Sequence, residues 1–288
     1  IIPCYNEYSS IKIMIEELDK IFSDQKNFEI IVVNDGSTDD SIKILEENNS
    51  YSIYEKIKII SHKKNLGYGA ALKTGIRNAK FENIVITDAD CSYPNEMIPK
   101  LLEILKKEHA QMVVGSRTGK NVSYSKIRSI PKWFLKKWVS WIANKNVPDI
   151  NSGLRVFKKD VAKKLFFILP NSFSFTITIT LAMITSGRHV VFEPIDYKDR
   201  KGTSKIRPIR DTFIFLKLIF RTGILFAPLR VFSPILYILY FLLIVTLYFD
   251  FQSSNISDKS ILLLILSGGL TMFAIICELI IKSSLREE

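Results

Sequence analysis

Short apolar runs alternate with helically spaced apolar positions over most of the chain, then give way to two long, almost uncharged stretches near its end. Ile1-Ile2, Glu29-Ile30-Ile31-Val32-Val33, Lys58-Ile59-Ile60, Ile84-Val85-Ile86, Met112-Val113-Val114-Gly115 and Val190 to Ile195 read as strands. The first of these carries no initiator Met and reads as the end of a strand, with a few residues expected before it. Ile11, Ile15, Leu18 and Phe22 recur at helical spacing behind Ser9 or Ser10 as the cap. Further helices are predicted from Asp40, out of Asn65 to Ala71 as far as about Ala79, from Pro94 to about Lys107, and from Phe173 to about Ser186. Asp149 to Phe157 reads as a polar loop entering a short strand. This alternation predicts an α/β fold with a mostly parallel sheet, helices on both faces and ligands outside the carboxyl ends of the strands.

The two long stretches, 231–251 and 261–281, each supply the roughly 20 apolar residues that cross a bilayer as a helix, and are predicted as a transmembrane hairpin. Their connection, Gln252 to Ser260, is polar, with Asp258 and Lys259 cancelling. The region before them is basic and Lys282 and Arg286 follow them. The positive-inside rule therefore puts the α/β domain and both termini in the cytoplasm of a multi-pass cell-membrane protein. Pro131 to Lys145 holds Trp133, Trp138 and Trp141, and sets an apolar stripe opposite Lys136, Ser140 and Asn144. It suits a helix in the headgroup layer, or an ordinary helix packed on the sheet. Between Pro208 and Pro228, Arg210, Lys217 and Arg221 form a narrow cationic stripe on a mostly apolar helix, again interfacial in character. The expected domains are 1–202, a juxtamembrane segment 203–230, the hairpin 231–281 and a tail 282–288.

The 288 residues are 47% hydrophobic and carry a net charge of +11. With two spans present, that surplus points to anionic lipid headgroups and not to nucleic acid. Cys4, Cys91 and Cys277 are scattered, which excludes a disulfide framework. Ser267-Gly268-Gly269 would let helices approach closely, a route to a homo-oligomer.

Asp88-Ala89-Asp90 follows the run Ile84 to Ile86. Two carboxylates one residue apart at a strand end can turn toward one hard cation that keeps positions for diphosphate oxygens. A capped turn before the next helix is the plainer alternative. Asp35 ends an earlier strand in the same way. Tyr197 to Lys205 is a basic, Gly-containing loop that a phosphate can occupy, or a solvated linker. Gly67-x-Gly69 has Leu72 where a dinucleotide fingerprint has its third glycine, and no suitably placed acidic residue. His62, His109 and His189 fall outside every motif.

Six short motifs follow in order: Pro3-x-Tyr5-Asn6-Glu7, Asn34-Asp35-Gly36-Ser37-x-Asp39, Asp88-Ala89-Asp90, Gly115-Ser116-Arg117, Ser152-Gly153-Leu154-Arg155 and Arg200-x-Gly202-x-Ser204-Lys205. In this the chain resembles family 2 glycosyltransferases of the Rossmann-like GT-A fold. More narrowly it is similar to the dolichyl-phosphate mannose synthase and polyprenyl-phosphate glycosyltransferase branch, whose membrane-anchored members add a C-terminal hairpin. The resemblance implies inverting transfer of a sugar from a UDP- or GDP-linked donor to a polyprenyl phosphate, undecaprenyl or dolichyl. It implies that Pro3, Tyr5, Glu7 and Asp35 hold the base and ribose, and that Asp88 and Asp90, flanking Ala89, place Mg2+ or Mn2+ on the diphosphate. Ser92, where the family pattern often has Gln, would be a further and weaker ligand. Arg117 and Arg155 would meet donor or acceptor phosphate, and Arg200, Ser204 and Lys205 would close over the phosphates. Catalysis would draw on Asp90, Asp149, Arg200 and Lys205.

A phosphate monoester has a second pKa near about 6 and is mostly a dianion at cytosolic pH, so it needs no strong base to act as a nucleophile. Asp149 would orient the acceptor or take a stray proton, or only hold the Arg155 loop. The Gln-x-x-Arg-Trp motif of processive polysaccharide synthases is absent from the sequence. A non-catalytic nucleotide- or lipid-binding scaffold, and a transferase with a non-lipid acceptor, are the alternatives.

Overall fold

The computed structural model describes residues 1–47, 53–119, 137–197, 217, 220, 221 and 223–284. The chain divides into two compact units, residues 1–136 with 147–208, and residues 137–146 with 209–288.

In the first unit, β1 (Ile2–Cys4), β2 (Ile30–Asn34) and β3 (Ile57–Ser61) form a parallel sheet in which Val32 lies between Ile2 and Ile59. A second sheet has the order β4-β6-β5-β7, made of β4 (Asn83–Ile86), β5 (Met112–Ser116), β6 (Arg155–Lys158) and β7 (Val190–Pro194). Here β6 is antiparallel to both neighbours, while β5 and β7 are parallel. Ile1 joins the two sheets: its amine donates to the Val85 carbonyl at 2.7 Å and its carbonyl accepts from the Thr87 amide at 3.3 Å. The expected, mostly parallel sheet is therefore present, with β6 as its one reversed strand among the described residues.

Residues 30–33 of β2 are buried without alternation, as a strand covered on both faces requires. One cover is α1 (Tyr8–Phe22), which turns Ile11, Met14, Ile15 and Leu18 inward, each burial contributing roughly 2 kcal/mol. It starts after Glu7 and not at Ser9 or Ser10. Its first amides are served from the loop after β2, because Asp39 Oδ2 accepts from the Tyr8 amide at 3.2 Å and Ser41 Oγ accepts from the Glu7 amide at 2.9 Å. The helix expected from Asp40 is reduced to α2 (Lys43–Glu46). Then come α3 (Tyr68–Asn78), a 3-10 turn (Asn95–Met97) leading into α4 (Ile98–Lys107), and α5 (Lys159–Lys164). The last helix of this unit, α6 (Phe175–Thr185), is buried on every side from Phe175 to Ile184, which explains its lack of a polar face.

In the second unit, α7 (Pro228–Ser253) and α8 (Asp258–Ser284) form a hairpin. Pro228–Ser253 and Asp258–Ile281 are long and apolar enough to cross a bilayer, and extend the expected spans by a few residues. Phe232 meets Phe273 edge-on, and the Tyr240 and Thr271 hydroxyls are hydrogen-bonded at 2.8 Å. Residues 137–143 are helical and belong to this unit. There Val139 and Ile142 are buried, Trp138 meets Phe220 edge-on, and Arg230 donates to the Ile142 carbonyl at 2.7 Å. Residues 131–136 and most of 208–222 lie outside the described residues, and the expected interfacial stripes lie largely there.

Candidate active site

The chain leaves β4 at Ile86 and turns over the carboxyl edge of the sheet through Thr87-Asp88-Ala89-Asp90. Thr87 Oγ1 donates to Asn95 Oδ1 at 2.8 Å, and Asn95 Nδ2 donates to Glu17 Oε2 at 3.0 Å, so the turn is fastened to α1. Cys91 adopts a left-handed backbone, φ 56, which costs about 1 kcal/mol or more for a side-chain-bearing residue and reverses the chain directly after Asp90. The reversal lets the amide and hydroxyl of Ser92 both donate to Asp90 Oδ1, at 3.1 and 2.6 Å. Ser92 is 1% exposed. It stands as the donor that orients Asp90, where the sequence suggested a metal ligand.

The other carboxylate is oriented from α3, where the Tyr68 hydroxyl donates to Asp88 Oδ1 at 3.0 Å. Burial, reinforced by the Asp88 charge, pushes the Tyr68 pKa well above the ordinary phenol value, so the donor keeps its proton. Tyr68 is itself placed by Asp35. That carboxylate is 3% exposed and accepts from the Leu66 and Gly67 amides at 2.9 and 2.8 Å, with His62 Nδ1 at 2.7 Å. Asp35, expected at the nucleotide base, is here a buried anchor for the chain entering α3. Side chains at Gly67 and Gly69 would collide with the carbonyls of Asn171 and Pro170, so these glycines serve close packing of backbone on backbone.

Arg117, at the end of β5, grips Asp149 with two prongs, Nε to Oδ2 at 2.7 Å and Nη2 to Oδ1 at 3.0 Å. Burial works against the Asp149 charge, but the hydrogen bonds and charge of Arg117 outweigh it and hold the carboxyl below its usual range. Asp149 is thereby ill suited to accept a proton near neutrality. The Arg117 guanidinium also lies over the Tyr197 ring, whose edge meets Tyr93. The Tyr93 hydroxyl accepts from the Gly153 amide at 2.6 Å, and Gly153 packs against Asp88 so closely that a Cβ would come 2.5 Å from Oδ2.

Arg155, expected at a phosphate, is instead fully buried. Its strand runs between β4 and β5, which places the side chain beneath α6. Nε donates to the Ser152 carbonyl at 3.1 Å, Nη1 donates to the Thr176 carbonyl at 3.0 Å and Thr180 Oγ1 at 2.9 Å, and Nη2 also donates to Ser152. It ties the Ser152-Gly153 loop to α6.

Along the neighbouring edge, Pro3 lies in β1 opposite Val33, Tyr5 is exposed, and Glu7 accepts from the Ser10 hydroxyl at 3.0 Å. Asn6, also left-handed at φ 55, accepts from the Thr38 amide at 2.8 Å. Arg200, Ser204 and Lys205 lie outside the described residues. Tyr68, Tyr93 and His62 carry no motif signal. Only the tertiary placement of α3 and the 149–155 loop reveals them.

Among the described residues, no group of three or more His, Cys, Asp or Glu is gathered into a cage. A pair of carboxylates suits Mg2+ or Mn2+, hard ions commonly held by one or two carboxylates and completed by phosphate oxygens. The strand order, the reversed β6 and an Asp-x-Asp turn on the carboxyl edge define a GT-A fold. Within that class the chain belongs to glycosyl transferase family 2, whose sequence profile matches residues 1–166.

Over 233 residues, 77% of the chain, it is 29% identical to a dolichol-phosphate mannosyltransferase of Pyrococcus furiosus, of which it spans 62%, less than two thirds. It is 28% identical over 241 residues, 82% of the chain, to an undecaprenyl-phosphate 4-deoxy-4-formamido-L-arabinose transferase of Proteus mirabilis, of which it spans 70%. The fold is shared with glucosyl-3-phosphoglycerate synthase of Mycobacterium tuberculosis in complex with Mn2+, UDP and phosphoglyceric acid. That likeness has a TM-score of 0.59 and 16% identity, and covers 77% of this chain and 76% of that one. The same enzyme has also been solved with Mg2+ and UDP.

Proposed function

We propose that this protein is a membrane-bound inverting glycosyltransferase that moves a sugar from a UDP- or GDP-linked donor to a polyprenyl phosphate at the cytoplasmic face of the membrane. One conjunction carries the reading. A family 2 domain has its Asp88-Asp90 turn oriented by Tyr68 and Ser92, and the same chain holds two helices long enough to cross a bilayer. Relatives named for dolichol phosphate and undecaprenyl phosphate support a lipid acceptor, and UDP in the structural neighbour supports a nucleotide donor. The basic region before the hairpin and the cations after it support a cytoplasmic domain.

In this reading Asp88 and Asp90 would hold Mg2+ or Mn2+, which would supply positive charge beside the nucleotide diphosphate leaving group. Arg117 contributes fixed positive charge at the end of β5, held in place by Asp149 and Tyr197. Pro3, Tyr5 and Glu7 line the nucleotide edge, and Arg200, Ser204 and Lys205 close over the phosphates from the juxtamembrane loop. The acceptor phosphate, with its second pKa near about 6, attacks as a dianion, so no side chain has to take its proton. The protein's main work is to hold the two substrates in line.

The test incubates membranes carrying the full chain with a panel of nucleotide sugars, polyprenyl phosphate and Mg2+ or Mn2+, and identifies the lipid product by mass. A sugar-bearing lipid phosphate that disappears in Asp90→Ala is the expected result. Transfer only to a soluble acceptor, or metal-dependent nucleotide binding without any product, would overturn it.

A further inference from the structure

Phe173 is 75% exposed, more than any other large apolar side chain among the described residues of the first unit. One face of its ring is nevertheless in use. It stacks on Tyr68 with centroids 5.3 Å apart and planes 13° from parallel, and the hydroxyl of that same Tyr68 donates to Asp88. The pair thus forms a step whose polar end touches the carboxylate turn and whose apolar tread faces water.

The step is held firmly. The Asn171 carbonyl accepts from the Ala70 amide at 3.2 Å, and the Asn171 side chain accepts from Lys73 at 3.0 Å. Ser172 and Ser174 hydrogen-bond across Phe173 at 2.5 Å, and the Phe173 carbonyl accepts from Thr176 Oγ1 at 3.3 Å. An aromatic ring fixed in water contributes nothing to the core, and this one stands one residue's reach from the proposed reacting centre.

We infer that Phe173, backed by Tyr68, is the seat for the first isoprene units of the lipid acceptor. The inference rests on the proposed function and deepens it. A prenyl phosphate that brings its phosphate to the Asp88-Asp90 turn must lay its phosphate-proximal isoprenes within a few ångströms of that turn. In those first units the chain is still outside the bilayer and needs apolar cover. A flat, rigid, exposed ring supplies that cover with little loss of conformational freedom. The sugar of the donor is the competing occupant, since its C–H face also stacks on aromatic rings.

The test uses the full chain in detergent or nanodiscs, with geranyl phosphate and farnesyl phosphate as probes. Equilibrium binding of each probe is measured without donor, and the KM values for probe and nucleotide sugar are measured during turnover. Phe173→Ala is expected to raise the probe dissociation constant and probe KM about tenfold, leave the donor KM unchanged, and be largely rescued by Phe173→Tyr. Unchanged probe binding overturns the inference, and a rise confined to the donor KM reassigns the ring to the sugar. If the unaltered protein transfers sugar to no prenyl phosphate, the functional reading itself fails. An active protein indifferent to Phe173 refutes this inference alone.

Discussion

Gly153 and Asp88 are in backbone-to-carboxylate contact: a methyl group on Gly153 would stand 2.5 Å from Asp88 Oδ2 and 2.8 Å from its Cγ. The glycine's backbone is not left-handed, so what it provides here is space and not conformational freedom. Gly153→Ala is therefore expected to displace Asp88 with little other damage. A shift of about 1 Å at a reacting centre can cost about 100-fold in rate. Transfer assays on Gly153→Ala should show a fall of that order with a melting temperature close to that of the parent.

The donors behind the two carboxylates should act through the cation. Tyr68→Phe removes the hydrogen bond to Asp88, and Ser92→Ala removes the hydroxyl bond to Asp90. Partners behind metal ligands are typically worth about 10–100-fold in affinity. Titration of Mn2+ against the UDP-loaded protein should show each variant weakened within that range, with the fold intact by circular dichroism.

Arg155 should prove structural. Its removal takes the guanidinium donors from the buried Ser152 carbonyl, which costs about 1–3 kcal/mol, while the Thr176 carbonyl keeps the Thr180 hydroxyl at 2.7 Å. Urea unfolding of Arg155→Met should show that loss. Arg155→Lys, which keeps a charge and part of the bonding, should retain the acceptor KM of the parent. A selective rise in acceptor KM would restore the phosphate role that the sequence pattern suggested.

Asp149 sets an acid limit on stability. Its folded pKa lies below the ordinary value of 3.8, with the Arg117 hydrogen bonds overcoming the effect of burial. A group depressed on folding stabilises the protein fully above its unfolded pKa, and that contribution is lost as pH falls through the folded value. Asp149→Asn should accordingly be about 3 kcal/mol less stable at pH 7. The two unfolding curves should draw together once the pH passes below 3.8.

The strands and the hairpin were legible because their cause is local. Ile30 to Val33 are apolar without interruption, and 231–251 has almost nothing to solvate. The Asp88-Asp90 turn was legible for the same reason, since two carboxylates next to a strand end announce themselves. What the sequence hid was who orients whom. Tyr68 is 20 residues from Asp88, and Arg117 is 32 from Asp149. The first arises from the packing of α3 beside the turn after β4, and the second from the segment that leads into the reversed β6 between β4 and β5. For Arg155 the motif suggested a phosphate partner, and its place on an interior strand, which buries the guanidinium among carbonyls, could not be read from spacing. Ser9 and Ser10 misled because the helix begins ahead of them, at Tyr8, where Asp39 and Ser41 from the far side of the sequence accept from the Tyr8 and Glu7 amides.

The bend between α7 and α8 closes on itself. Asp250 Oδ2 accepts from the Ser257 amide at 3.0 Å, Ser254 takes the left-handed conformation with φ 50, and Ser257 meets Ser260 through their hydroxyls. Any helical pair entering lipid has to drag its connecting peptide through hydrocarbon, where each unmet amide or hydroxyl is costly. Here the Ser257 amide and the Ser257 and Ser260 hydroxyls are met within the bend, and the Tyr240-Thr271 bond ties the two helices further along. The pair is thus pinned at its turn and again along its length, so the two helices keep a fixed register on one another.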